Sequence, residues 1–98
     1  MEIKIEHGDA FVISLQGRLD TVTSVELSGK LAEEKIEEPL VIVDMKELEY
    51  ISSAGLRLLL SLKKDLSAEG KELEVHNLNP VCQEVFRVTG FKNILTIK

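Results

Sequence analysis

Two adjacent serines, Ser52 and Ser53, lie between an apolar run ending at Val43 and a leucine-rich stretch beginning at Leu56. A helix opening there leaves its first backbone N–H groups unpaired and partially positive. A hydroxyl at such a point can cap the helix, and a phosphate on it is stabilised by the same donors. Ser53 therefore has two readings, a plain N-cap or a phosphorylation and partner-contact site. Gly55 adds to the second, because glycine is costly inside a helix and its missing side chain lets another backbone come close. Asp20, at the end of Gly17-Arg18-Leu19-Asp20, reads locally as a residue that ends a strand and starts a helix.

Other reactive side chains point to less. His7 falls in a turn and His76 follows a strand, so both read as solvated or structural. A Ser–His hydrolase lacks a nucleophile elbow and an orienting third group at usable spacing. Cys82 lies in an amphipathic segment and reads as a small core hydrophobe. With one cysteine and two histidines there is no internal disulfide, and a metal cluster would need carboxylates. We therefore expect neither metal nor cofactor.

Composition narrows the classes further. A chain of 98 residues is the length of one domain, 1–98, with a modest core and little room for an enclosed substrate chamber. Only 4% of residues are aromatic, so the core is aliphatic and base-stacking platforms are scarce. The net charge is −5 and no basic run occurs, which argues against nucleic acid and anionic lipid as direct partners. The longest apolar runs, such as Leu40-Val41-Ile42-Val43, are far short of a membrane span. Alternating charge over Glu2–Glu6 is not a signal peptide, and the expected location is cytoplasmic.

The elements that must position the serines follow from periodicity. Ile3 and Ile5 alternate with charged residues, and Ala10–Leu15 is rich in strand formers, so the pair reads as a hairpin about His7-Gly8-Asp9. Gly17–Asp20 breaks that pattern. Thr23-Ser24-Val25-Glu26 has the form of a capping box opening a helix with Leu27, Leu31 and Ile36, stopped by Glu37-Glu38-Pro39. Leu40–Val43 is an unalternating strand, as if covered on both faces, and Met45–Tyr50 reads as a loop. The helix from the two serines carries a wide leucine stripe and stops near Gly70. Leu73 and Val75 mark a strand, Asn79-Pro80 starts a helix closed by Thr89-Gly90, and Ile94–Ile97 is a terminal strand. Strand–helix alternation after a hairpin predicts an α/β layer fold with a mainly parallel sheet and about three helices.

In order and spacing these segments resemble the STAS domain family, and within it the bacterial anti-sigma factor antagonists. The resemblance rests on Asp44, Leu48, Tyr50-Ile51-Ser52-Ser53-Ala54-Gly55-Leu56 and the leucine-rich helix. Gly17-Arg18-Leu19-Asp20 matches the family's G-x-L/I-D motif, and Asn79-Pro80-Val81 and Val85–Phe91 resemble its last helix. The resemblance implies a STAS-like layer fold over nearly the whole chain. It also implies a phosphorylatable serine at the mouth of the second helix. Alignment on Gly55 puts Ser53 at that acceptor position, with Ser52 as its rival because it stands where many members have Asp.

By the same resemblance the chain is a ligand and a substrate, not an enzyme. Unphosphorylated, it binds an anti-sigma factor that is itself a serine kinase, and the sigma factor is released. Phosphorylation ends the binding, and a PP2C-type phosphatase restores it. The implied partner surface comprises Asp20, Ser52, Ser53, Gly55, Leu56 and Arg57. Leu56 is read as core first and Arg57 as either a solvated charge or a partner contact. One alternative is a STAS subunit of another assembly, such as a lipid-transport complex. Another is a sugar-transport phosphocarrier, which requires a phosphorylatable histidine at a helix start where neither His7 nor His76 lies.

Overall fold

β1 (Glu2–Glu6) and β2 (Phe11–Leu19) pair antiparallel, Ile3 opposite Leu15 and Ile5 opposite Ile13, which is the expected hairpin. A computed structural model describes residues 1–98. After the hairpin come α1 (Thr21–Ala32), β3 (Leu40–Ile51), α2 (Ser53–Ala68), β4 (Glu72–His76), α3 (Pro80–Thr89), a 3-10 turn (Phe91–Asn93) and β5 (Thr96–Ile97). The five strands stand in the order β1-β2-β3-β4-β5, and every pair after the first is parallel. This is the α/β layer architecture expected from the sequence.

One cluster of 19 buried residues forms the core, with Phe11, Phe86, Leu19, Met45 and Leu59 among the most enclosed. Burial alternates along β2 and β4 and along the first half of β3. Val41 and Val43 are buried while Ile42 and Asp44 are only half-buried. The central strand is thus covered fully on one face only, against the expectation of two. The run Leu40–Val43 lacks polar residues because the outer face keeps Ile42 partly shielded beside Val12.

β3 is also far longer than expected, because Met45–Tyr50 is strand and not loop. Its buried residues Met45, Leu48 and Ile51 recur every third position, which hides the period of two. The pairing explains the spacing. Between Ser14↔Asp44 and Gln16↔Glu47, and again between Gly17↔Leu48 and Arg18↔Tyr50, β3 advances one residue more than β2. Each extra residue is a bulge that shifts the inward position by one. Gly17, at φ +109°, accommodates the distortion, so β2 continues through the stretch that breaks its sequence pattern.

α1 begins three residues earlier than its sequence implies. Asp20 is the N-cap: the Thr23 N–H donates to Asp20 Oδ1 at 3.0 Å, and the Asp20 N–H donates to Thr23 Oγ1 at 2.8 Å. The box is therefore Asp20–Thr23 and not Thr23–Glu26. α1 ends at Ala32, leaving Ile36 in the following loop, where it packs against the core. Gly29 lies within α1, and a β-carbon there would meet nothing within 4 Å. Gly29→Ala should therefore raise unfolding stability by about 0.5–1 kcal/mol, read from urea melts.

Candidate functional site

The parallel pairing of β2 with β3 delivers the carboxyl ends of both strands to one end of the sheet, where loops of α/β folds gather function. Leu19 pairs with Ile51, and the next residues are Asp20 and Ser52. The Ser52 N–H donates to the Leu19 carbonyl at 2.8 Å, so the mouths of α1 and α2 open side by side. Thr23 binds this corner together: its hydroxyl donates to the Arg18 carbonyl at 2.6 Å while it closes the Asp20 box. The Thr23 backbone N–H first, and second its hydroxyl, which also lies 3.1 Å from Asp20 Oδ1, hold the Asp20 carboxyl below the usual aspartate range, and the Arg18 charge adds to this.

The two serines divide their work. Ser52 is the N-cap of α2, half-buried, and its Oγ accepts from the Gly55 N–H at 3.3 Å. Ser53, read from sequence as the cap, is instead the first helical residue and is exposed. Its hydroxyl is free of the backbone. The first turn of α2 carries no acidic residue, so no charge on the helix itself offsets its positive end.

Gly55 and Leu56 lie beneath this surface, not on it. Leu56 is 4% exposed and belongs to the core, so it cannot offer its side chain to a partner. Gly55 is also buried. A β-carbon there would lie 2.8 Å from Ile51 Cγ1 and 2.9 Å from Leu19 Cγ, so it is side chains, not another backbone, that come close. Arg57 is exposed, one turn along α2 from Ser53.

Three features of the site escape sequence reading. The Arg18 guanidinium lies over the Tyr50 ring, 4.7 Å from its centroid, because Arg18 and Tyr50 are partners in the parallel register. Val22 and Val25, on the first turns of α1 beside Asp20, are 77% and 72% exposed. Their spacing of three puts them on one helix face, an apolar strip without a covering element. Asn79 caps α3 by accepting from the Cys82 N–H at 2.7 Å and reaches across to the Leu48 carbonyl at 2.8 Å. It thus fastens the tail of β3 that leads into Ser52.

Residues 5–96 match the family described as the Mlab STAS domain. The chain belongs to the STAS domain family. BtrV of Bordetella bronchiseptica, named among anti-sigma factor antagonists, is 34% identical over 99% of this chain and 85% of its own length. The anti-sigma-B factor antagonist of Listeria monocytogenes is 28% identical over 100% of this chain and 87% of its own. Among solved structures, unphosphorylated SpoIIAA superposes with a TM-score of 0.83 at 21% identity, covering 99% of this chain and 88% of that one. The phosphorylated form of SpoIIAA gives 0.73 at 21% identity, covering 99% and 91%. Asp20, Ser52 and Ser53 meet where α1 and α2 open, exposed Arg57 stands one turn along α2, and Gly55 and Leu56 are buried behind them. No helix is long and apolar enough to cross a membrane.

The remaining reactive groups lie elsewhere. Cys82 is buried in the core, and that burial pushes its thiol up. His76 bonds Glu74 at 2.9 Å on the thinly covered face of the sheet. His7, at the opposite end of β2 from Asp20, holds Glu34 at 3.2 Å and Glu38 at 2.9 Å, tying the hairpin turn to the loop after α1. The hydrogen bond to Glu34, then that to Glu38, raises its pKa above 6.5. The clasp thus contributes fully below the unfolded-state value of 6.5 and is lost as pH rises through the higher folded value. Protection of the amides in residues 33–39, taken relative to their intrinsic exchange rates, should fall over that rise, and His7→Gln should remove that fall.

Proposed function

We propose that this STAS domain is an anti-sigma factor antagonist working as a phosphorylation-controlled ligand. The unphosphorylated edge, with Asp20, Val22, Val25, Ser53 and Arg57 exposed or half-exposed, docks on an anti-sigma factor and releases the sigma factor. The same partner acts as a serine kinase. It moves the γ-phosphoryl group of ATP to Ser53 Oγ, releasing ADP and the hydroxyl proton. The added charge of about −1.5 to −2 then opposes docking by repulsion and desolvation, with no refolding. A PP2C-type phosphatase restores the active form, with water taking the phosphoryl group to give inorganic phosphate.

The observation that carries this reading is the division of labour at the helix mouth. Ser52 does the capping, which leaves the Ser53 hydroxyl exposed and free to enter a kinase. The names of the relatives support the partner class. The two roles separate by mutation. Ser52→Ala should cost about 1 kcal/mol through the lost cap and still accept phosphate. Ser53→Ala should change stability by less than about 0.5 kcal/mol and accept none. Incubation with the candidate kinase and ATP, followed by intact mass and site mapping, reads both. Phosphate on Ser52, or a modified Ser53→Ala protein, would overturn the assignment.

A further inference from the structure

Ser53 and Arg57 are both exposed and stand four residues apart on α2, the spacing at which helix side chains meet. Helical side chains lean toward the N-terminus, so Arg57 leans back over the turn that holds Ser53. Arg57 has no acidic neighbour on its own helix. The residues three and four positions away are Ser53, Ala54, Leu60 and Ser61. Arg87 shows the contrast, since it is paired with Glu84 three residues earlier on α3. Arg57 is thus a cation without a local counter-ion, one turn from the proposed phosphate.

The other charges at the edge are engaged. Arg18 lies over Tyr50, and the Asp20 carboxylate is locked by Thr23. Asp20 follows Leu19, whose carbonyl accepts from the Ser52 N–H, so the nearest fixed charge across the helix mouths has the same sign as a phosphate. A guanidinium and a phosphate can bond through two parallel N–H···O contacts.

We infer that Arg57 is the internal counter-ion of the modified state: phosphorylation of Ser53 closes a phosphoserine–arginine pair along α2. The pair rests on the phosphorylation reading above and adds a second half to the switch. Modification places a phosphate on the docking surface and also makes the Arg57 guanidinium less available to a partner, by the modest strength of an exposed i,i+4 pair. The pair joins neighbouring turns of a helix already formed, so the fold does not change.

The test installs phosphoserine at position 53 during synthesis, by genetic encoding, so no kinase or partner is needed. Phosphorus NMR then follows the second ionisation of the phosphate, ordinarily near 6, in wild type, Arg57→Gln and Arg57→Lys. Circular dichroism checks that each is folded. The phosphate should titrate about 0.3 lower in wild type than in Arg57→Gln, the size of an exposed i,i+4 pair. Arg57→Lys, which keeps the charge, should recover most of that shift. Identical titrations in wild type and Arg57→Gln would overturn the pair. A failure of Ser53 to accept phosphate from any kinase would instead count against the functional reading and would leave this titration unchanged.

Discussion

Replacing Gly55 by alanine is expected to destabilise the domain, although alanine is the better helix former. The helix gain is about 0.5–1 kcal/mol. Against it stands a β-carbon 2.8 Å from Ile51 Cγ1, 2.9 Å from Leu19 Cγ and 3.0 Å from Leu19 Cδ2. Neither neighbour is a loose surface chain, since Leu19 and Ile51 are 0% and 1% exposed. Overpacking of this kind costs typically about 1–3 kcal/mol, so the net loss should reach about 2 kcal/mol. The strain falls where β2, β3 and α2 meet, so the Ser53 mouth should shift and phosphorylation should slow. A double-mutant cycle isolates the contact. Leu19→Ala alone should cost about 2–5 kcal/mol. Combined with Gly55→Ala it should cost less than the sum of the two, because the smaller residue vacates the clash. Denaturant unfolding of the four proteins measures this; strict additivity would mean that the mouth is not packed as described.

Ser53→Asp is expected to leave the fold intact and to weaken partner binding by about tenfold to a hundredfold, or 1.4–2.8 kcal/mol. The two effects have opposite signs for one reason, the location of the charge. An acid in the first turn of α2, which has none, meets the positive end of the helix and should add about 0.3–1 kcal/mol of stability. The same charge lies on the surface proposed to dock, next to the strand end that carries Asp20, and should act there as a repulsive element. Ser53→Asn controls for size. A stable Ser53→Asp protein that binds as tightly as wild type would remove the electrostatic basis of the switch.

Most of the architecture is legible in the sequence because its signals are local. Ile3 and Ile5 alternate, Asn79-Pro80 opens α3, and Gly90 closes it at φ +79°, each by a rule spanning a few residues. The serines and Asp20 are likewise legible as residues at helix starts after strands, and the parallel pairing does bring those strands' ends together. What the sequence hides depends on a second chain segment. Met45–Tyr50 looks like loop because two bulges, visible only against β2, shift the inward positions. The α1 cap lies in Asp20 because strand β2 runs on to Leu19, which brings Asp20 to the turn ahead of Thr23. Leu56, read as core first yet placed by resemblance on the partner surface, is turned inward once α2 lies on the sheet. The Arg18–Tyr50 stack needs the register of two strands separated by an entire helix.

The central claim is that one phosphate on Ser53 turns partner binding off without altering the fold. Titration calorimetry of the unphosphorylated and the Ser53-phosphorylated protein against the same anti-sigma factor kinase tests it most directly, with circular dichroism on both. The unmodified protein should bind tightly, the phosphorylated one should lose a hundredfold or more, of the order of 2.8 kcal/mol, and the two spectra should superimpose. Equal affinities, or a phosphorylated protein that fails to bind because it has unfolded, would contradict it.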